Sequence, residues 1–351
     1  MNRMLTKWFA GGMTAVLALA AQAEVKMQGA GATFPAPIYQ RWVAEFQKTH
    51  TDVKIDYQAI GSGGGIKGIT EKTVDFGASD APMTAKELDK AGGDIVQIPT
   101  VAGAVVLAYN LPGVTSLKLD GPTVADIFLG KITKWNDPKI AAMNEGVALP
   151  DLQITPAHRT DGSGTNFIFT NYLAAVSPEF KEKVGTGKMV EWPNGQGGKG
   201  SDGVTHIVQG TSGAIAYVEI AYAHQNKIAC AQLKNKDGQF VEANAETVAA
   251  AGEGAVSEMD KSLAVNIWNQ PGAKSYPISS FTYILVHKDL AYLKDPAKAK
   301  VLIDFLKWST GEGEKLAAEL DYAPLAPAVQ KKVSDAIDSL SLDGKPLAIR
   351  D

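Results

Sequence analysis

A chain of 351 residues with a net charge of −4 at neutral pH carries no basic footprint, which argues against nucleic acid or an acidic membrane surface as its partner. Its single cysteine, Cys230, cannot form an intrachain disulfide, so a small disulfide scaffold is excluded and stability has to come from burial. The composition, 45% hydrophobic, is that of an ordinary globular protein with enough apolar content for a large core.

The first 23 residues read as an export signal. Met1 to Lys7 holds two cations and no acid, an apolar run follows from Trp8 to Ala20, and Ala21-Gln22-Ala23 has the A-x-A form that signal peptidase cleaves. The expected mature chain starts at Glu24. The apolar run is shorter than the roughly 20 residues a spanning helix needs, no cysteine follows to receive a lipid, and no later stretch is apolar enough to cross a bilayer. An exported, unlipidated protein without membrane insertion is therefore expected. Losing Arg3 and Lys7 makes it more acidic still, so an anionic ligand would have to be held by local donors.

About 330 residues remain, a length that suggests two domains. Val53, Ile55 and Tyr57 alternate with Lys54 and Asp56, as in a half-buried strand. Val101 to Ala108 and Tyr283 to Val286 are continuous apolar runs that suit buried strands. Helical spacing appears at Ile38, Trp42, Val43 and Phe46, and again at Val301, Leu302, Phe305 and Leu306. Thr84 to Glu87 forms a capping box, and Asp295-Pro296 pairs a cap with a first-turn proline. Strands alternate with helices, which predicts α/β architecture with parallel sheets built from βαβ units. The stretch Asn194 to Gly203 reads as a surface loop.

Three segments share one design: a strand, a turn of glycine and hydroxyl residues, then a helix. They are Gly29 to Pro35, Gly61 to Gly65 leading into Ile66, and Asp161 to Thr165 leading into Phe167. Pro35 fits the first turn of its helix. A helix N-terminus presents unpaired N–H groups and partial positive charge, and so attracts anions; serine and threonine add donors, and glycine lets a ligand touch the backbone. Any one of these is explained by simple helix capping; three together point to an oxyanion site. Arg159 stands two residues before Asp161, where its guanidinium could make parallel bonds to a tetrahedral oxyanion while Asp161 holds it in place. Asp80, at the tip of Val74 to Ser79, is either a cap for the turn at Ala81-Pro82 or a ligand group. Competing motifs fail. Two formal G-x-G-x-x-G matches, at Gly63 and Gly195, are weak among 35 glycines, and neither a P-loop nor a G-x-S-x-G elbow occurs. The five histidines show no metal-ligand spacing, so no metal, cofactor or catalytic centre is expected. His158, beside Arg159, reads as structural.

At these residues the sequence resembles the periplasmic phosphate-binding proteins of ABC-type phosphate import. The resemblance runs through Gly29 to Pro37, Gly61-Ser62, Val74 to Asp80, Leu129 to Asp137, Arg159 to Thr165, Gly213 to Glu219 and Leu320 to Ala323, and so spans essentially the whole mature chain. It implies a type II-like fold of two α/β lobes, residues 24–103 plus 281–351 and residues 104–280, with the ligand in the cleft between them. It further implies a periplasmic monomer that captures inorganic phosphate and hands it to a permease of two transmembrane subunits and ATP-binding subunits. By this likeness the phosphate is held by Thr33, Phe34 through its backbone N–H, Ser62, Asp80, Arg159, Ser163, Gly164 and Thr165, with Asp161 supporting Arg159. Gly63 departs from the serine common in relatives, and Ala216 replaces a frequent glycine. Two other readings stay open: an exported phosphatase-like enzyme on the same anion site, and a binding protein for another tetrahedral oxyanion. The first lacks a metal cluster, an activated nucleophile and a placed base other than Asp80. Asp80 opposes the second, because an ionised carboxylate can only accept a proton and sulfate near neutral pH has none to give.

Overall fold

The computed structural model describes residues 24–259 and 263–346, so the signal segment and its cleavage point lie outside the described residues. Eight strands organise the chain: β1 (Val25–Gly31), β2 (Val53–Ala59), β3 (Phe76–Ser79), β4 (Ile95–Tyr109), β5 (Thr155–Arg159), β6 (Gln196–Gly198), β7 (Ala214–Glu219) and β8 (Ser279–His287). They run in the order β2-β1-β3-β8-β4-β7-β5-β6, and Ala229–Cys230 pairs with β4 off that path. Four helices follow strands directly and matter below: α1 (Ala36–Thr49), α2 (Ser62–Thr70), α3 (Gly164–Val176) and α4 (Gly200–Gly210).

The sheet is mixed, where sequence alternation alone predicts parallel pairing. β1 pairs parallel with β2 and β3, and β5 pairs parallel with β6 and β7. Between these blocks, β8 runs antiparallel to β3 and β4, and β4 antiparallel to β7. The reason is that β8, reached only after residue 278, enters between β3 and β4 in the opposite direction, and β4 runs on past it to meet β7. β4 is long enough to pair with β8 through its first ten residues, Ile95 to Ala104, and with β7 through Val105 to Tyr109. One strand thereby carries the chain from one half-sheet into the other, giving the two-lobed α/β fold. The apolar run at 101–108 is continuous because this crossing strand is buried on both faces.

Each half-sheet has its own apolar packing. Helix α1 turns Ile38, Trp42 and Phe46 inward at the spacing the sequence shows. Trp42 donates its indole N–H to the Gly313 carbonyl at 2.8 Å, and Phe46 meets Phe305 edge-on. In the second half Phe169 stacks on Tyr217 and meets Phe128 edge-on, with Trp192 tilted against Tyr217. His158 lies against Trp192 as a stacked ring, the structural role expected of it. The helix signals also hold: Thr84 and Glu87 close a reciprocal capping box, and the Asp295 carboxylate accepts from the Ala297 N–H at 2.8 Å. Among the described residues no helix is long and apolar enough to cross a membrane.

Candidate anion-binding site

All three glycine–hydroxyl turns sit where a strand ends and a helix begins, and they face one another. After β1, Gly31 has φ +147° and the chain turns through Thr33-Phe34-Pro35 into α1. Pro35 occupies the N-cap rather than the first turn, which Pro37 takes. After β2, Gly61 at φ +90° caps α2, so Ser62 opens that helix with its hydroxyl fully buried. After β5, Ser163 caps α3, followed by Gly164 and Thr165. A side chain at Gly164 would collide with Asp80 Oδ2 and Ser62 Oγ. Only glycine lets the N-terminus of α3 approach so closely.

Asp80 is 1% exposed and sits at the centre of the arrangement. It does not cap the turn at Ala81-Pro82; Ser79 does, its hydroxyl accepting from the Ala81 N–H at 3.2 Å. The Asp80 carboxylate instead accepts from Thr282 Oγ1 at 2.7 Å and Ser62 Oγ at 3.3 Å. Thr282 reaches it at a bulge where β8 shifts register against β4 between Thr282 and Tyr283. Burial pushes the Asp80 carboxyl up to about 7, against the pull of those hydrogen bonds and of the Arg159 charge.

Arg159 closes the β5 side. Its Nε donates to Asp161 Oδ1 at 2.7 Å and its Nη2 to Oδ2 at 2.5 Å, the two-pronged pairing that fixes a guanidinium plane. Burial opposes the Asp161 charge, but the Arg159 bonds and the Gly200 N–H outweigh it and hold this carboxyl below its usual range. The Ser163 hydroxyl accepts from the Asn166 N–H at 3.0 Å, leaving its own proton to donate. The Thr165 hydroxyl is 1% exposed and has no hydrogen-bond partner. A buried hydroxyl without a partner is free to bond to a ligand at the helix N-terminus.

The stretch read as a surface loop holds a fourth turn of the same design. Gln196–Gly198 is β6, and Gly200, at φ +70°, leads into α4. Ser201, in the first turn of α4, is buried; its hydroxyl lies 2.8 Å from Thr33 Oγ1 and 3.5 Å from Arg159 Nη1. The Gly-Lys-Gly-Ser run at 198–201 was a legible signal, obscured by the lack of apolar residues around it. Thr282 gave no signal, because a threonine within a buried strand looks like any other. Gly63 has a structural reason to lack a side chain: its N–H donates to the Gly162 carbonyl at 2.8 Å, and a Cβ there would press on Gly162 at 3.2 Å.

A buried arginine, four helix N-termini and a ring of hydroxyls around one carboxyl have the chemistry to receive an oxyanion that carries a proton. The profile of the PBP superfamily domain matches residues 18–312. A phosphate-binding protein PstS of Pasteurella multocida is 47% identical over 334 residues, covering 94% of this chain and 95% of that one. The chain belongs to the PstS family of phosphate-binding proteins. A second family member, PstS of the archaeon Methanocaldococcus jannaschii, is 40% identical over 304 residues, 81% of this chain and 78% of its own. The PstS-family fold is also that of solved structures at lower identity. A high-affinity periplasmic phosphate-binding protein, PfluDING, bound with phosphate, superposes at TM-score 0.71 with 20% identity, covering 92% of this chain and all of that one. A phosphate-binding protein from Stenotrophomonas maltophilia superposes at 0.66 with 20% identity, covering 89% and 93%.

Proposed function

We propose that this protein captures inorganic phosphate in the periplasm and delivers it to an ABC-type phosphate permease. The observation that carries this reading is the pairing of one buried acceptor, Asp80, with otherwise donor groups: Arg159, the Ser163 and Thr165 hydroxyls, the N–H groups of Thr33, Phe34 and Gly164, and the Ser62 hydroxyl once its proton turns from Asp80 to the anion. Such a set fits an anion that still holds a proton. Phosphate near neutral pH always has a P–OH to give to Asp80, whereas sulfate has none. The Arg159 charge offsets the anion, and Asp161 keeps the guanidinium in plane.

The lobes in this proposal are residues 24–103 plus 281–351 and residues 104–280, acting as a monomer exported by cleavage after Ala23. The permease contributes two transmembrane subunits and ATP-binding subunits. Ser163 enters as a ligand group rather than a nucleophile, since its oxygen already accepts the Asn166 N–H as a helix cap.

Calorimetric titration of the mature protein with phosphate, sulfate and arsenate tests the reading. At about pH 9, where Asp80 is ionised, phosphate binds and sulfate does not. Arg159→Ala weakens phosphate binding by about 2–5 kcal/mol, as for removing one member of a buried charged pair. A loss under half a kcal/mol would place Arg159 outside the site, and equal binding of sulfate would overturn the assignment of phosphate.

A further inference from the structure

The turn at residues 32–34 is held by tyrosines in a way that its role as an anion site does not by itself require. Three tyrosine hydroxyls donate to three consecutive carbonyls: Tyr57 to Ala32 at 2.6 Å, Tyr222 to Thr33 at 2.7 Å and Tyr322 to Phe34 at 2.6 Å. They come from three distant parts of the chain. Tyr57 is on β2, Tyr222 is on the helix Ile220–Gln225 that follows β7, and Tyr322 lies in the segment after the 3-10 turn Ala318–Leu320. All three hydroxyl bonds are buried. Burial raises the pKa of each phenol, so all three keep the proton they donate.

A trans peptide sets its N–H antiparallel to its C=O. Fixing the Ala32 carbonyl therefore aims the Thr33 N–H, and fixing the Thr33 carbonyl aims the Phe34 N–H. Neither N–H has a backbone acceptor among the described residues. A hydrogen bond to a peptide oxygen also polarises that peptide and strengthens its N–H as a donor. The third carbonyl differs. The peptide after Phe34 ends in Pro35, which has no N–H, so Tyr322 can anchor the turn but has no donor to aim.

We propose that Tyr57 and Tyr222 are positioning residues for the bound anion, each setting one backbone donor of the turn: Tyr57 the Thr33 N–H and Tyr222 the Phe34 N–H. This rests on the phosphate-binding reading above. Tyr222 reaches Thr33 from the helix after β7 and adds a second bond to a carbonyl that already accepts from the Ala36 N–H at 3.1 Å, whereas Tyr57 acts from within the first half.

The test uses the full mature chain with single Tyr57→Phe, Tyr222→Phe and Tyr322→Phe substitutions. Inorganic phosphate is the probe, followed by calorimetry and by amide-proton NMR. Losing one neutral hydrogen bond predicts about a 3–10-fold weaker phosphate affinity in the Tyr57 and Tyr222 variants. The spectroscopic pattern separates positioning from support of the fold. The phosphate-induced downfield shift shrinks at Thr33 in Tyr57→Phe and at Phe34 in Tyr222→Phe. It stays in place at Gly164 and Thr165 in both, and at all four amides in Tyr322→Phe. Unchanged affinity, or weaker affinity with all four shifts retained, overturns the inference while the functional reading stands. Loss of folding in both the Tyr57 and Tyr222 variants, judged by circular dichroism, assigns the hydroxyls to the fold and also overturns it. Failure of the unmodified protein to bind phosphate overturns the functional reading itself, and this inference with it.

Discussion

Asp80 shows how far a single residue's chemistry can be read and where its surroundings are needed. A carboxylate among anion donors is intelligible from sequence as a proton acceptor, but sequence leaves capping as the commoner alternative. Only the fold decides between them, by giving the turn to Ser79 and setting Thr282 and Ser62 on the Asp80 oxygens. The fold also adds that burial lifts this carboxyl to about 7. A carboxyl titrating near 7 when folded and near 4 when unfolded favours the folded form fully below about pH 4, and that advantage is lost as pH rises to about 7. At the proposed site the same shift should set selectivity. Sulfate can be accepted only when Asp80 itself carries the proton, so its binding should strengthen as pH falls from about 9 toward 7, by at most about tenfold per pH unit, and then level off. In Asp80→Asn the amide can donate at any pH, so sulfate binding should be stronger and flat with pH while phosphate still binds. Competition titrations across that range read both proteins. Equal rejection of sulfate by the two at every pH would show that Asp80 does not sense the ligand proton.

At the scale of elements, the strand–turn–helix units were the most legible part of the site, because each is local. Glycine, hydroxyl and helical periodicity stand next to each other in the chain at 29–38, 61–69 and 161–173. The fourth unit, β6 to α4, escaped because β6 is three residues of glycine and glutamine with no alternation to mark it; its parallel pairing with β5 makes it a strand. Ser201 went unseen with it. The tyrosines on the 32–34 carbonyls were invisible for a different reason, since each contact joins residues 25 or more positions apart. The close approach of elements is likewise a tertiary fact, and Gly164 is its sharpest expression. A methyl group there meets two buried polar atoms, Asp80 Oδ2 and Ser62 Oγ, neither at the end of a long flexible side chain. Gly164→Ala should therefore hold α3 away from Asp80 and weaken phosphate binding by about 1–3 kcal/mol, the usual cost of overpacking a close-packed site. Its melting temperature without phosphate should change little, because the two halves can part to relieve the clash. Calorimetry beside thermal melting measures the two quantities, and phosphate affinity within twofold of the unmodified protein would refute the steric argument.

For the whole molecule, the division into two halves explains why no single lobe suffices. Thr33, Ser62 and Asp80 hang from strands β1, β2 and β3, while Arg159, Ser163 to Thr165 and Ser201 hang from β5 and β6. The ties that join the halves besides the crossing strand include Gly63 N–H to the Gly162 carbonyl, Thr33 to Ser201, Tyr222 to Thr33, Tyr322 to Glu219, Tyr283 to the Val265 carbonyl, Lys332 to the Met259 carbonyl, and two polar pairs at the surface. The pairs are the ion pair of Lys188 with Glu87 at 2.6 Å and the hydrogen bond of His224 Nδ1 with Asp321 at 2.7 Å, all four side chains partly exposed. Exposed pairs contribute about 0–1 kcal/mol and a neutral hydrogen bond about 0.5–1.5, so no single tie locks the halves together. An anion that bonds to both sides at once favours the closed arrangement by the difference in its affinity for closed and open forms. Phosphate should then lower the radius of gyration in X-ray scattering. The Lys188–Glu87 pair supplies the control. Glu87→Lys sets two ammonium groups against each other where the halves meet, and should enlarge the phosphate-free protein while still allowing phosphate to compact it. Scattering that is identical for both proteins with and without phosphate, while calorimetry confirms binding, would mean that the halves do not move and that the anion enters a cleft already fixed in shape.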